Sequence, residues 1–283
     1  MLQVTNLTKK YPDFTLDNVS FEIPQGMIVG FIGQNGAGKT TTLKCIMRTV
    51  CPDGGKVVAF GKDMAEYESQ NKQIISFTTG AFDYYPRESL AKIAKVYASF
   101  YDEWSQADFD NYCRRFNLVT SKKVCELSAG MKVKFALSLA MSHNAKLFIF
   151  DEPTSGLDPI AREELLDVFR DIVDEGDKSI LFSTHITSDL DKCADIILFI
   201  REGRIVLEEP KDELLDTHAL IKGGEDDLTD SLKSRVVSYK SNRFGFTALI
   251  LRNKLLPSDN VASEKPTLDD IMVYYNHKEQ IQC

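Results

Sequence analysis

Near the N-terminus apolar and polar positions alternate, first in Leu2-Gln3-Val4-Thr5 and then in Leu16-Asp17-Asn18-Val19-Ser20-Phe21-Glu22-Ile23. This two-residue period predicts strands, the second ended by Pro24-Gln25-Gly26. A purely apolar run follows at Met27-Ile28-Val29-Gly30-Phe31-Ile32, with further short strands expected at residues 56–60 and 74–78. From residue 88 to about 117 the period becomes helical, with Leu90, Ile93, Ala94, Tyr97, Phe109, Tyr112 and Phe116 on repeating faces. Helix formers resume over residues 129–141, and Lys146-Leu147-Phe148-Ile149-Phe150 reads as a strand buried on both faces. A helix over residues 159–175, a strand over 179–183, a short helix near Asp189 and a strand over 196–200 leading to a hairpin at Glu202-Gly203 continue the alternation. Strand, helix, strand in this order predicts an α/β fold on a parallel sheet, preceded by an antiparallel β subdomain and interrupted by a helical insert at about 85–145.

The pattern weakens near Leu215, so the main domain is expected to span residues 1–217. Residues 218–283, with Gly223-Gly224-Glu225-Asp226-Asp227 and a last amphipathic stretch at 268–275, are expected to form a small α+β appendage, either a site of regulation or a passive stabilising lid. At 283 residues and 43% hydrophobic the chain can bury a full core. Its apolar runs are of strand length, far short of a membrane helix, and no leader peptide is expected from Met1-Leu2-Gln3-Val4. A cytoplasmic chain is therefore expected, held at a membrane only through a partner. The net charge of −8 disfavours direct binding of nucleic acid. Cys45, Cys51, Cys113, Cys125, Cys193 and Cys283 form no C-x-x-C pair, which suits free thiols in a reducing compartment.

Chemistry enters after the first buried strand, where Gly33-Gln34-Asn35-Gly36-Ala37-Gly38-Lys39-Thr40-Thr41 fills every fixed position of a phosphate-binding loop between a strand and a helix. Glycines let successive backbone N–H groups turn toward one dense anion, and the following helix, expected from about residue 39 to 48, adds its positive end. Lys39 can reach terminal phosphates as a point charge, the Thr40 hydroxyl can ligate Mg²⁺, and Thr41 supports the phosphates from behind. Asp151 and Glu152 end the strand at 146–150, where an open parallel sheet places ligand-binding groups. Asp151 suits the Mg²⁺ shell and Glu152 a general base for an attacking water.

These segments, together with Leu127-Ser128-Ala129-Gly130-Met131, Asp151-Glu152-Pro153-Thr154-Ser155-Gly156-Leu157-Asp158-Pro159 and Ser183-Thr184-His185, resemble those of an ATP-binding cassette (ABC) ATPase, a P-loop NTPase, over residues 1 to about 215. The resemblance implies ATP and Mg²⁺ as cofactors and a head-to-tail pair of cassettes, identical or different. ATP would lie between the phosphate loop of one cassette and Ser128 of the other, with Gly130 permitting close approach. Asp158 would couple the two sites, and His185 would hold the γ-phosphate and the attacking water. Tyr11 resembles the family's adenine-stacking aromatic, with core packing as its other reading. Taken alone, His185 reads as a helix-start histidine and Ser128 as an N-cap.

Two segments depart from the family pattern. Ala129 and Met131 stand where Gly and Gln are commonest, and Gly80 stands where a Gln normally contacts Mg²⁺ and water; either the alignment through Tyr84-Tyr85-Pro86 is out of register or this loop works without the amide. Phe100-Tyr101, Trp104, residues 182–190 and Pro266-Thr267-Leu268-Asp269-Asp270-Ile271-Met272 further resemble bacterial exporter ATPases of the bacitracin- and peptide-resistance type. That likeness implies the motor subunit of an exporter of peptides, antibiotics or other amphiphiles, working through separate transmembrane permease subunits at the inner face of the cell membrane. Residues 81–100, with Phe82, Tyr84 and Tyr85, are the expected contact surface or, equally, core. A soluble ABC ATPase of iron–sulfur assembly, or of nucleic-acid or ribosome work, is the alternative.

Overall fold

The computed structural model describes residues 1–79 and 85–276, and the chain divides into two units between Glu208 and Glu209. The first unit opens with β1 (Leu2–Tyr11) and β2 (Phe14–Ile23), followed by β3 (Ile28–Ile32), α1 (Lys39–Ile46), β4 (Gly54–Ala59), β5 (Lys62–Asp63), α2 (Glu68–Gln73) and β6 (Ile75–Thr79). Strands β1, β2, β4 and β5 pair antiparallel in the order β2-β1-β4-β5, which is the expected N-terminal β subdomain. Its inward residues Leu2, Val4, Leu16, Val19, Phe21 and Ile23, two apart except across an irregularity between Leu16 and Val19, share one buried cluster with Leu43 and Ile46 of α1 and with Val29 and Phe31 of β3. The period-2 pattern thus does what it encodes: one face buries against the phosphate-loop helix and the other meets water.

The remaining elements of this unit are α3 (Leu90–Ala98), α4 (Gln106–Arg115), α5 (Ala129–Ser142), β7 (Leu147–Asp151), α6 (Pro159–Val173), β8 (Ser179–Thr184), α7 (Thr187–Cys193), β9 (Ile196–Arg201) and β10 (Arg204–Pro210), whose last two residues fall past the boundary. The helical insert is broken where sequence periodicity suggested continuity. Ser89 and Ser105 each cap a separate helix, accepting from the Lys92 and Asp108 N–H groups. The main sheet runs β10-β9-β3-β8-β7-β6, and the neighbours from β9 to β6 pair in parallel. Every residue of β3, β7 and β8 is buried, the signature of strands covered on both faces. Phe150 of β7 stacks on Phe169 of α6, ring centroids 4.9 Å apart, and Phe169 meets Phe182 of β8 at 5.6 Å.

The second unit begins at Glu209, ahead of the 218 expected from the weakening pattern, because α8 (Lys211–Thr217) packs on β11 (His218–Gly223). Then come α9 (Asp230–Lys233), β12 (Val236–Asn242), β13 (Gly245–Leu251), β14 (Ala262–Glu264) and α10 (Leu268–Asn276). The antiparallel order is β12-β13-β11-β14. Ala219, Ile221, Ala248 and Ile250 close one face of this sheet with Leu232, and this unit has a core cluster of its own. His218 is buried between elements: its Nδ1–H donates to the Leu214 carbonyl at 3.0 Å, and its Nε2 accepts from the Tyr275 hydroxyl at 2.9 Å.

Candidate active site

Strand order decides what meets at the carboxyl edge of the sheet. β8 lies between β3 and β7, with Ile32 registered on Thr184 and Asp151 on Ser183. The phosphate loop leaving β3, the Asp151-Glu152 pair ending β7 and the turn leaving β8 therefore converge on one crevice, as open parallel sheets require. A cleft of about 630 Å³ lies there, lined by Asp13, Phe14, Gln34, Asn35, Gly36, Gly38, Lys39, Thr40, Thr41, Glu152, Ser155 and His185.

The loop's glycines have separable reasons. At Gly33 a Cβ would come within 2.5 Å of the Ile200 carbonyl oxygen, so packing forbids a side chain. Gly36 has φ +82° with open space where a Cβ would stand, so conformation is what demands glycine there. Helix α1 then starts at Lys39 with no side-chain cap, leaving its first N–H groups to serve an anion at the cleft. Lys39 is 5% exposed; its Nζ donates to the carbonyls of Gly33 at 2.7 Å and Gln34 at 3.3 Å and stands 3.4 Å from Glu152 Oε1.

Asp151 is 7% exposed and receives two hydroxyls, Thr40 Oγ1 on Oδ2 at 2.7 Å and Ser183 Oγ on Oδ1 at 2.6 Å. An all-oxygen donor set around one carboxylate suits a hard cation such as Mg²⁺. Glu152 follows with φ +54°, a left-handed conformation costing a residue with a Cβ about 1–2 kcal/mol. Its N–H is held by both the Ser183 carbonyl, at 3.1 Å, and the Ser183 hydroxyl, at 2.9 Å. That turn aims the carboxylate at the cleft, where Oε2 lies 2.8 Å from His185 Nδ1. Lys39, Glu152 and His185 thus form one chain of contacts along the cleft.

Residues 16–155 match the family model described as ABC transporter. The chain is 30% identical over 217 residues to the bacitracin transport ATP-binding protein BcrA of Bacillus licheniformis, covering 76% of this chain and 71% of that one. It is 33% identical over 215 residues to the lantibiotic transport ATP-binding protein SrtF of Streptococcus pyogenes, covering 75% of this chain and 92% of that one. This chain belongs to the ABC transporter ATP-binding family. As an ABC ATPase it binds and hydrolyses ATP. The cassette superposes on the ATP-binding subunit of an ABC transporter with TM-score 0.69 at 28% identity, covering 76% of this chain and 92% of that one. A dimeric ATP-binding cassette bound to ADP and Pi shares the fold, with TM-score 0.65 at 21% identity, over 74% of this chain and 98% of that one.

Within this single cassette the other expected site residues stand apart from the cleft. Ser128 caps α5, its Oγ accepting from the Met131 N–H at 3.3 Å, and Asp158 caps α6, its Oδ1 accepting from the Ile160 and Ala161 N–H groups at 3.0 Å each. A Cβ on Gly130 would lie 3.2 Å from the Ala161 side chain, so the two helix starts are packed together. Tyr11 sits opposite Phe14 across the β1–β2 turn, 42% exposed with Lys9 Nζ 5.9 Å from its ring centroid, and does not line the cleft; Asp13 and Phe14 do. Gly33, Ala37 and Asp151 lie behind the lining. Gly80, Phe82 and Tyr84 lie outside the described residues; Tyr85 is exposed. Sequence reasoning assigned no role to Ser183 or Ser155, although Ser183 opens the Ser-Thr-His segment at the end of a buried strand.

Proposed function

We propose that this chain is the ATP-hydrolysing motor subunit of a bacterial exporter, and that its cargo is a peptide, antibiotic or other amphiphile. The observation that carries the reading is the Lys39–Glu152–His185 chain of contacts at the mouth of the phosphate loop, at 3.4 and 2.8 Å. The relatives named for bacitracin and lantibiotic transport support the cargo class.

In this reading the backbone N–H groups of residues 33–41 and the ammonium of Lys39 hold the β- and γ-phosphates of ATP, and Thr41 backs them. Thr40 and Asp151 hold Mg²⁺, which when bound neutralises charge building on the phosphate oxygens. Glu152, fixed in its left-handed turn, accepts a proton from the attacking water, and His185 orients that water beside the γ-phosphate. Phe14, which lines the cleft, and Tyr11, opposite it across the β1–β2 turn, offer aromatic faces to the adenine ring where it reaches past the cleft. Ser128 and the start of α5, with Gly130 and Asp158, serve a second cassette across a head-to-tail interface. Closed pairing then has higher affinity for ATP than open pairing, so cleavage removes the preference and the pair parts.

Among the described residues no helix is long and apolar enough to cross a membrane. The pore belongs to separate permease subunits, which hold the cassette at the inner face of the membrane. Exposed Tyr85, Val96 and Phe100 offer the contact surface. The unit from Glu209 onward is an appendage that modulates pairing.

Affinity purification of the full chain from its native membrane tests the assignment. A multispan membrane protein copurifying in stoichiometric amount is expected. Recovery of soluble partners alone would overturn it in favour of a soluble ABC ATPase.

A further inference from the structure

Asp189, on α7, is a carboxylate with no exposed surface, and the chemistry above makes no use of it. It ties three segments together. Its Oδ2 accepts from the hydroxyl of Thr154, itself fully buried, at 2.7 Å; its Oδ1 faces Nε of Arg162, on α6, at 3.4 Å. Thr154 is two residues beyond Glu152, and its carbonyl accepts from Leu157 N–H at 3.2 Å within the loop that ends at Asp158. The backbone N–H of Arg162 donates to the Asp158 carbonyl at 3.0 Å. Asp189 itself follows His185 by one helical turn, and its N–H donates to the Ile186 carbonyl at 3.3 Å.

We propose that Asp189 is a positioning residue that sets where Glu152 and His185 stand relative to each other. This rests on the assignment of Glu152 as the base. A buried carboxylate with one cation near it is a poor stabiliser compared with apolar packing, so its worth lies in geometry. Glu152 leaves the sheet in a strained left-handed turn, and His185 leaves it from the neighbouring strand. The Thr154–Asp189 hydrogen bond clamps the chain just beyond both. An ion pair from Asp189 Oδ1 to Arg162 Nε, at 3.4 Å and without a hydrogen bond, extends the contact to the start of α6 beside the Asp158 loop. A displacement of about 1 Å at the reacting groups can cost 100-fold in rate.

The test is steady-state ATP hydrolysis by the full chain with Mg²⁺ in five variants, beside fluorescent-nucleotide affinity. Asp189→Asn and Thr154→Val are expected to lower kcat by about 10- to 100-fold with KM and nucleotide affinity changed less than about threefold, the split expected of lost transition-state geometry. Thr154→Ser, which keeps the hydroxyl, is expected to hydrolyse at the wild-type rate. Asp189→Asn added to Glu152→Gln is expected to cost much less than the product of the two single losses, because part of its effect acts through a group already removed. Where Asp189→Asn fails to fold, Thr154→Val and Thr154→Ser carry the same test. Wild-type kcat in Thr154→Val, a Thr154→Ser variant as slow as Thr154→Val, or a multiplicative loss in the double variant overturns the proposal. Failure of the underlying reading looks different: Glu152→Gln alone would then turn over at the wild-type rate.

Discussion

The Thr40 hydroxyl donates to Asp151 Oδ2 across 2.7 Å, joining the first turn of α1 to the end of β7 over 111 residues of chain. With Ser183 on the other carboxylate oxygen, Asp151 is pinned from both sides. Thr40→Val should therefore raise the Mg²⁺ concentration needed for half-maximal hydrolysis at least about tenfold, as expected for loss of a metal-contacting group. Titration of activity with Mg²⁺ measures it; an unchanged midpoint would remove Thr40 from the metal site.

Lys39 is a buried cation whose neighbours are two loop carbonyls and Glu152. Lys39→Ala should weaken MgATP binding by about 10- to 100-fold, the worth of a charge-assisted hydrogen bond of roughly 1.5–3 kcal/mol. Equilibrium binding of a fluorescent ATP analogue reads this directly. Affinity within twofold of wild type would show that the ammonium does not touch phosphate.

Phe150 is 1% exposed and stacks on Phe169 at an interplanar angle of 13°. Truncating it empties the layer that holds Asp151 and Glu152 in place. Phe150→Ala should cost about 3–5 kcal/mol in denaturant unfolding. A loss under 1 kcal/mol would mean that the surrounding rings collapse to fill the space.

Acid should destabilise the first unit through His143, at the end of α5. Burial lowers its pKa below the ordinary histidine value; its Nδ1 sits 3.0 Å from the Gln73 carbonyl and its ring lies on Tyr101 with centroids 3.8 Å apart. The unfolded chain takes up the proton more readily, so this contribution is complete above about pH 6.5 and is lost as pH falls toward the depressed folded-state value. Buried His218 shifts in the same direction in the second unit. Melting temperature should drop between pH 7 and 5.5, and His143→Phe, which keeps the ring stack, should flatten that slope while lowering stability at neutral pH. A slope identical to wild type would exclude His143 as a source.

What could be read along the chain was whatever is local. The phosphate loop, the Asp151-Glu152 pair and the alternating strands are written in adjacent residues, and the structure places them as expected. The break between α3 and α4 was not legible, because Phe100, Tyr101 and Trp104 carry the apolar period through a turn that Ser105 ends. The boundary at Glu209 escaped because α8 is short and takes its place only by packing on β11. Long-range pairs were invisible in principle: Ser183 on Asp151 and Thr154 on Asp189 join residues 32 and 35 positions apart. Nothing in either segment alone specifies the other. Tyr11 matched a family position, yet within one chain Phe14 is the aromatic that lines the cleft.

The central claim is that Glu152 takes the proton of the attacking water at a phosphate held by residues 33–41. Single-turnover phosphate release from MgATP with enzyme in excess, wild type beside Glu152→Gln, tests it most directly. The account predicts that the variant binds nucleotide as tightly as wild type and releases phosphate about 100- to 10,000-fold more slowly, the range for loss of a general base. Release at the wild-type rate from the variant would contradict it.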